Sequence, residues 1–162
     1  MERSRFLSLL QALSDAEVQY VLIGGLALNL HGLVRATEDV DLLVDPSEQN
    51  IDRLRSALRS IYDDPDIGLI AASDLQREYP VIRYVPPEDG PPVDLIARLG
   101  TAFAFQNVEW LLLDLEGVPV RVATAQSLYA MKQRTAREQD QDDARRLARA
   151  FGLKQTTEGE DD

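Results

Sequence analysis

The stretch VLIGGLALNLHGLVRATEDVDLLVD, residues 21–45, decides the reading of the chain: an apolar run ends in two glycines, and a second one opens with two aspartates one residue apart. YVLI at 20–23 is a short β-rich run. LALNLHGL after Gly24 and Gly25 is helix-forming until Gly32, and DVDLLV at 39–44 returns to strand character before Asp45 and Pro46 stop it. Residues two apart in a strand face the same side, so Asp39 and Asp41 project together, about 7 Å apart at about 3.3 Å rise per residue. Val40, Leu42 and Val44 then face the core.

Working outward, residues 3–14 place Phe6, Leu7, Leu9, Leu10 and Leu13 mainly on one helical face. Pro46 suits a first helical turn, and the helix it opens runs to about Tyr62 with Ile51, Leu54, Leu58 and Ile61 at three- and four-residue spacing. Residues 63–78 begin acidic and proline-containing and continue as a short helix. VIRYV at 81–85 and VDLIARL at 93–99 read as strands, separated by the proline-stiffened loop PPEDGPP. VEWLLLDL and VPVRVA flank Glu116 and Gly117, a hairpin turn, and helices over about 124–135 and 138–151 complete the chain. The order is neither regular βαβ alternation nor all-β. It predicts an α/β (α+β) fold, a mixed β-sheet flanked by helices.

With 162 residues, 44% of them apolar, the chain can bury a core and most economically forms one domain, residues 1–153. Residues 154–162, KQTTEGEDD, read as a disordered acidic tail. The absence of cysteine removes disulfides, thiolate metal sites and cysteine nucleophiles together, leaving oxygen ligands or the single His31 for any metal. The amino-terminal MERSRFLSLLQAL lacks a signal-peptide pattern and no apolar run reaches membrane-spanning length, which predicts a cytoplasmic protein without membrane contact. A net charge of −11 argues against a broad basic surface for nucleic acid, though a local basic groove stays open.

Two carboxylates at the start of a strand suit a hard divalent cation, and Mg²⁺ prefers oxygen ligands together with substrate phosphates. Gly24 and Gly25, between a strand and a helix, let a phosphate approach the backbone N–H groups. Asp94, inside the apolar run PPVDLIARL, is a costly charge there unless it is paired or metal-bound, and in a two-metal site it would help to position and activate an attacking hydroxyl. Each feature also has a plain structural reading. Double glycines are usually turns, paired strand carboxylates are often a solvated face, and Asp94 could pair with Arg83 or Arg98. Their order along the chain is what favours a phosphoryl-transfer site.

Gly24-Gly25, followed fourteen residues after the second glycine by Asp39-Val40-Asp41, with Asp94 on a later strand, resembles the nucleotidyltransferase superfamily related to DNA polymerase β. GGLALNLHGLVRATEDVDLLV looks most like its branch of AbiEii-type toxins and small bacterial nucleotidyltransferase-like proteins. SLYAMKQRTAREQDQDDARRL resembles that branch's helical lysine, then arginine, then Asp-x-x-Asp, so the similarity runs from about Tyr20 to Leu147.

The resemblance implies a polymerase-β-like fold and Mg²⁺-dependent transfer of a nucleoside monophosphate from an NTP to an acceptor hydroxyl, on RNA or protein, with release of pyrophosphate. Mn²⁺ is the alternative metal. Asp39, Asp41 and Asp94 would be the catalytic metal ligands, and Gly24 and Gly25 would cradle phosphates. Lys132 would contact nucleotide phosphates, Arg35 and Thr37 would contact phosphate or shape the approach to the strand as part of the nucleotide-binding set, and Asp140 and Asp143 would support the site's helical wall. From spacing alone, Asp140 and Asp143 share a helix face, and a structural ion pair, with Arg137 as one candidate, is favoured there over direct catalysis. His31 reads as a partly buried, hydrogen-bonded residue rather than a base. The resemblance suggests the toxin of a toxin–antitoxin pair, with a partner protein. The alternatives are a silent nucleotidyltransferase-like module that binds a nucleotide or a partner, and an antitoxin that nucleotidylates its toxin. The NTP base, the acceptor and the oligomeric state stay open.

Overall fold

The computed structural model describes residues 3–133 and 137–153. The tail at 154–162 and the last two residues of the helix expected over 124–135 lie outside the described residues. Helix α1 spans Arg3–Asp15, and strand β1, Tyr20–Ile23, leads directly into α2, Gly24–Leu30. Strand β2 (Val40–Val44), helix α3 (Glu48–Ile61), two 3-10 turns and strands β3 (Val81–Tyr84) and β4 (Val93–Ile96) follow. The short strands β5 (Arg98–Leu99) and β6 (Phe103–Ala104) precede the hairpin of β7 (Trp110–Leu115) and β8 (Val118–Ala123). Helices α4 (Ala125–Gln133) and α5 (Glu138–Phe151) close the order.

Six strands form one mixed sheet in the order β3-β4-β2-β1-β8-β7. The central strands β1 and β2 run antiparallel, β4 is parallel to β2, and β8 is parallel to β1. Hairpin partners β3 and β7 form the two edges. Alternation alone points Val40, Leu42 and Val44 inward, yet Leu43 is equally buried. Strand β2 is therefore covered on both faces over its second half, as a central strand between helical layers must be. The apolar faces of α1 (Phe6, Leu9, Leu10, Leu13) and α3 (Ile51, Leu54, Leu58) join the same core.

Three expectations need correction. Helix α3 starts at Glu48 rather than in a turn containing Pro46, because the Ser47 side chain accepts from the Asn50 N–H and makes Ser47 the cap. The expected strand over 93–99 stops at Ile96: the Ala97 N–H still donates to the carbonyl of Pro80, which has no N–H to return the bond, and Arg98 then turns away to pair with Ala104. The short helix within 63–78 is two 3-10 turns, Pro65–Leu69 and Ala72–Gln76. The Glu116-Gly117 turn is as read, with both residues at positive φ (53° and 88°), the backbone of a two-residue hairpin loop.

Candidate active site

Sheet register places the carboxylates. Asp41 on β2 lies opposite Asp94 on the parallel strand β4, and Asp94 lies opposite Arg83 on β3. Paired residues project to the same face, so Arg83, Asp94 and Asp41 form one row across three strands. Asp39 sits just before β2, in the extended segment whose Val40 N–H donates to the Pro92 carbonyl. The Asp-x-Asp pair and Asp94, far apart in sequence, thus lie at the same end of the central strands.

Gly24 closes that end. It has φ of +74°, and a Cβ on it would stand 2.1 Å from Asp41 Oδ2. A side chain there is excluded by both backbone and carboxylate. Gly25 faces the other way: a Cβ would meet Thr37 Oγ1 at 3.1 Å and Arg35 Nε at 3.3 Å. Each glycine therefore has a packing reason beyond phosphate approach. Gly25, Arg35 and Thr37 form one group of polar donors beside the aspartates.

The electrostatics are those of a crowded anionic cluster. Burial, the hydrogen bond with Asp94 and the charges of Asp94 and Asp39 push the Asp41 carboxyl up to about 7, opposed by the positive charge of Lys132. Arg83 donates from Nη1 to both oxygens of Asp94, at 3.0 and 3.1 Å, and to Asp39 Oδ2 at 3.2 Å. Its Nη2 lies 3.4 Å from Asp39 Oδ1. Arg98 instead donates to the carbonyls of Arg77, Glu78 and Gly100, so of the two arginines considered for Asp94, Arg83 is its partner.

A second charged group fastens the carboxyl-terminal helices to this end of the sheet. Lys132 on α4 donates to Asp140 at 2.7 Å and lies 3.4 Å from Asp143, both on α5 and both buried. Arg35 donates to Asp143, so α5 holds the segment leading into Asp39. Arg137 is only a distant partner of Asp140, at 3.8 Å. The ion pair foreseen for Asp140 and Asp143 exists, chiefly with Lys132 and Arg35. His31 Nε2 donates to the Ala123 carbonyl at 2.8 Å and its ring meets Phe151 edge-on, a structural role. What sequence reasoning missed is the bond from Arg83 to Asp39, which depends on the β3-β4-β2 order of the sheet.

All the candidate ligands are oxygens, which suits Mg²⁺ or Mn²⁺. Among the described residues no three acidic or histidine groups already converge as metal ligands. The donor chemistry, carboxylate oxygens alone, is that of a hard divalent cation.

The sequence model of the family described as nucleotidyl transferase AbiEii toxin, type IV TA system, matches residues 8–150. The chain belongs to this family. It is accordingly a nucleotidyltransferase by descent, and its mixed sheet flanked by helices is the nucleotidyltransferase fold. An antigenic nucleotidyltransferase-like protein from Paracoccidioides brasiliensis superposes with a TM-score of 0.56 at 18% identity, over 90% of this chain and 75% of that one. The lincosamide antibiotic adenylyltransferase LnuA, bound to lincomycin, gives 0.57 at 16% identity, over 91% and 96%. ANT(2")-Ia, in complex with adenylyl-2"-tobramycin, gives 0.55 at 13% identity, over 92% and 88%. No curated protein sequence is a significant match. No described helix is long and apolar enough to cross a membrane.

Proposed function

We propose that the protein transfers a nucleoside monophosphate from an NTP to an acceptor hydroxyl, in a cytoplasmic setting, as the toxin of a toxin–antitoxin pair. The observation that carries the reading is the register of Asp41 against Asp94 beside Gly24. It brings two carboxylates and a side-chain-free backbone to one point of the sheet. In this reading Asp39 and Asp41 hold Mg²⁺, with Mn²⁺ as substitute, and Asp94 completes the set. The metal would neutralise charge developing on the triphosphate. Gly24 and Gly25 would offer backbone N–H groups to the phosphates, while Arg35, Thr37 and Lys132 line the approach with donors. Asp94, beside Asp41, would receive the proton of the attacking hydroxyl as its oxygen bonds to the α-phosphorus and the bond to pyrophosphate breaks. Asp140 and Asp143 act through Lys132 and Arg35, as positioning residues. The acceptor is RNA or protein, and the partner an antitoxin.

Isothermal titration of each NTP with Mg²⁺, comparing the protein with Asp39→Ala/Asp41→Ala, tests this. Metal-dependent binding that disappears in the variant supports the site. Binding that ignores the metal would support a silent nucleotide-binding module instead, for which Arg83 is the specific observation. By bridging Asp39 and Asp94 it offsets part of their mutual repulsion without a metal. With binding established, transfer of α-labelled NTP into RNA or into protein identifies the acceptor class, and labelling of the partner toxin would mark the chain as the antitoxin.

A further inference from the structure

One arginine holds two of the three carboxylates assigned to the metal. Arg83 sits on the edge strand β3, and its side chain is 49% exposed. Its guanidinium nevertheless spans Asp39 and Asp94 through four contacts between 3.0 and 3.4 Å. A planar guanidinium directs its N–H groups along the lone pairs of a carboxylate. Lone pairs so engaged are not available to a cation. Like charges a few ångströms apart also repel strongly even at intermediate dielectric. Asp39 and Asp94 accordingly converge on Arg83, while Asp41 hydrogen-bonds to Asp94, and among the described residues no three acidic or histidine groups stand as metal ligands.

The surroundings let the guanidinium leave. Tyr84, the next residue on β3, is anchored by its hydroxyl to Asp64 at 2.8 Å and is buried, so the strand stays in place while the Arg83 side chain turns. On the solvent side a groove of about 310 Å³, lined in part by Asp66, Leu69, Ile82 and Val85, runs along β3 and includes Arg83.

We propose that Arg83 is an exchangeable counter-ion: it holds Asp39 and Asp94 until a divalent cation arriving with a nucleoside triphosphate takes those oxygens and Arg83 turns to the phosphates. The inference rests on the function proposed above and deepens it. The free protein should bind a bare divalent cation weakly, because the cation must displace Arg83 into water. A triphosphate offers the displaced guanidinium an acceptor, so metal and nucleotide bind cooperatively. Each raises the other's affinity by the same factor.

The test is Mn²⁺ titration followed by the electron paramagnetic resonance of free Mn²⁺, with and without the four α,β-methylene nucleoside triphosphates as probes. Wild type should bind Mn²⁺ weakly alone and more tightly with at least one analogue. Arg83→Gln should bind bare Mn²⁺ about two- to five-fold more tightly, the scale of a solvent-screened ion pair, and lose most of the enhancement by nucleotide. Arg83→Lys, which keeps the charge but not the fork, should fall between them. It also serves if the glutamine variant fails to fold. Arg98→Gln makes the same change in net charge on a residue that, among the described residues, bonds only to backbone carbonyls, and should bind Mn²⁺ as wild type does. Bare Mn²⁺ affinity in folded Arg83→Gln equal to or weaker than wild type overturns the inference alone, provided that Asp39→Ala/Asp41→Ala abolishes Mn²⁺ binding. Equal tightening in Arg98→Gln overturns it too, since net charge would then suffice. Absence of Mn²⁺ binding to wild type under all conditions overturns it together with the function on which it rests.

Discussion

The Asp41 carboxylate occupies the space that a side chain on Gly24 would need: Oδ2 lies 2.1 Å from the position of a Cβ, on a residue with φ of +74°. Gly24→Ala therefore meets two costs at once, the left-handed backbone and displacement of a partly buried carboxylate. Together they should destabilise the fold by about 2–4 kcal/mol. Gly25→Ala meets only side-chain atoms at 3.1–3.3 Å and has no positive φ, so it should cost under about 1.5 kcal/mol. Urea denaturation of the two variants checks the ordering, and a Gly25→Ala cost equal to that of Gly24→Ala would contradict it.

Crowding at Asp41 predicts a conflict between stability and function. Its carboxyl is raised from 3.8 to about 7 by burial and by Asp94 and Asp39, so the folded protein holds a proton that the unfolded chain releases between those values. Stability without metal therefore falls as pH rises through about 4 to 7. Asn at this position carries no charge at any pH. In EDTA, Asp41→Asn should match wild type near pH 4, gain on it as the pH rises through 7, and exceed it by several degrees in Tm at pH 8, roughly 2–4 °C per kcal/mol for a chain of this size. NTP-dependent metal binding should be lost. A Tm difference that does not grow with pH would sink the assignment.

Asn50 predicts the opposite combination, loss of stability with the site intact. It is buried, accepts from the Gln19 N–H at 2.7 Å, and donates to the carbonyls of Gln19 and Asp45 at 2.9 and 2.7 Å. It thereby ties the entry of β1 to the turn after β2, at the far end of β1 from Gly24. Asn50→Ala strands these backbone groups and should cost about 2–3 kcal/mol. Mn²⁺ binding by the folded variant should be unchanged. A shift in metal affinity at a temperature where the variant is folded would contradict this separation of site and scaffold.

The elements around the site were legible because their signals are local. YVLI and DVDLLV are short β-rich runs stopped by Gly24 and by Asp45-Pro46, and Glu116-Gly117 announces its own hairpin. Asp94 stood out as a charge in an apolar run. What sequence could not supply was lateral order. Whether β3 borders β4, and β4 borders β2, follows from packing across the whole sheet, and only that order brings Arg83 to Asp39 as well as Asp94. The cap at Ser47 was lost to the stronger signal of Pro46 beside it. The break after Ile96 was hidden because apolar residues continue through Ala97 while the backbone changes partners.

Arg35 and Asp143 offer a way to separate structural from functional roles in the charged group. Asp143 is almost wholly buried and accepts from Arg35 while lying 3.4 Å from Lys132. Asp143→Ala would leave two cations facing a desolvated gap and should cost about 3–5 kcal/mol, the scale for breaking one side of a buried ion pair. Arg35→Met/Asp143→Leu removes both charges and keeps apolar volume, while Lys132 retains Asp140 at 2.7 Å. It should recover most of that stability. If Arg35 serves only to fasten α5 to the segment before Asp39, the double variant binds NTP with Mg²⁺ as wild type does. The position of Arg35 Nε and Thr37 Oγ1 against Gly25 points to a second duty toward phosphate, so the expected result is a stable protein whose NTP affinity falls about ten-fold or more, the loss of a charge-assisted hydrogen bond. Titration calorimetry on the double variant, beside its melting curve, distinguishes the two.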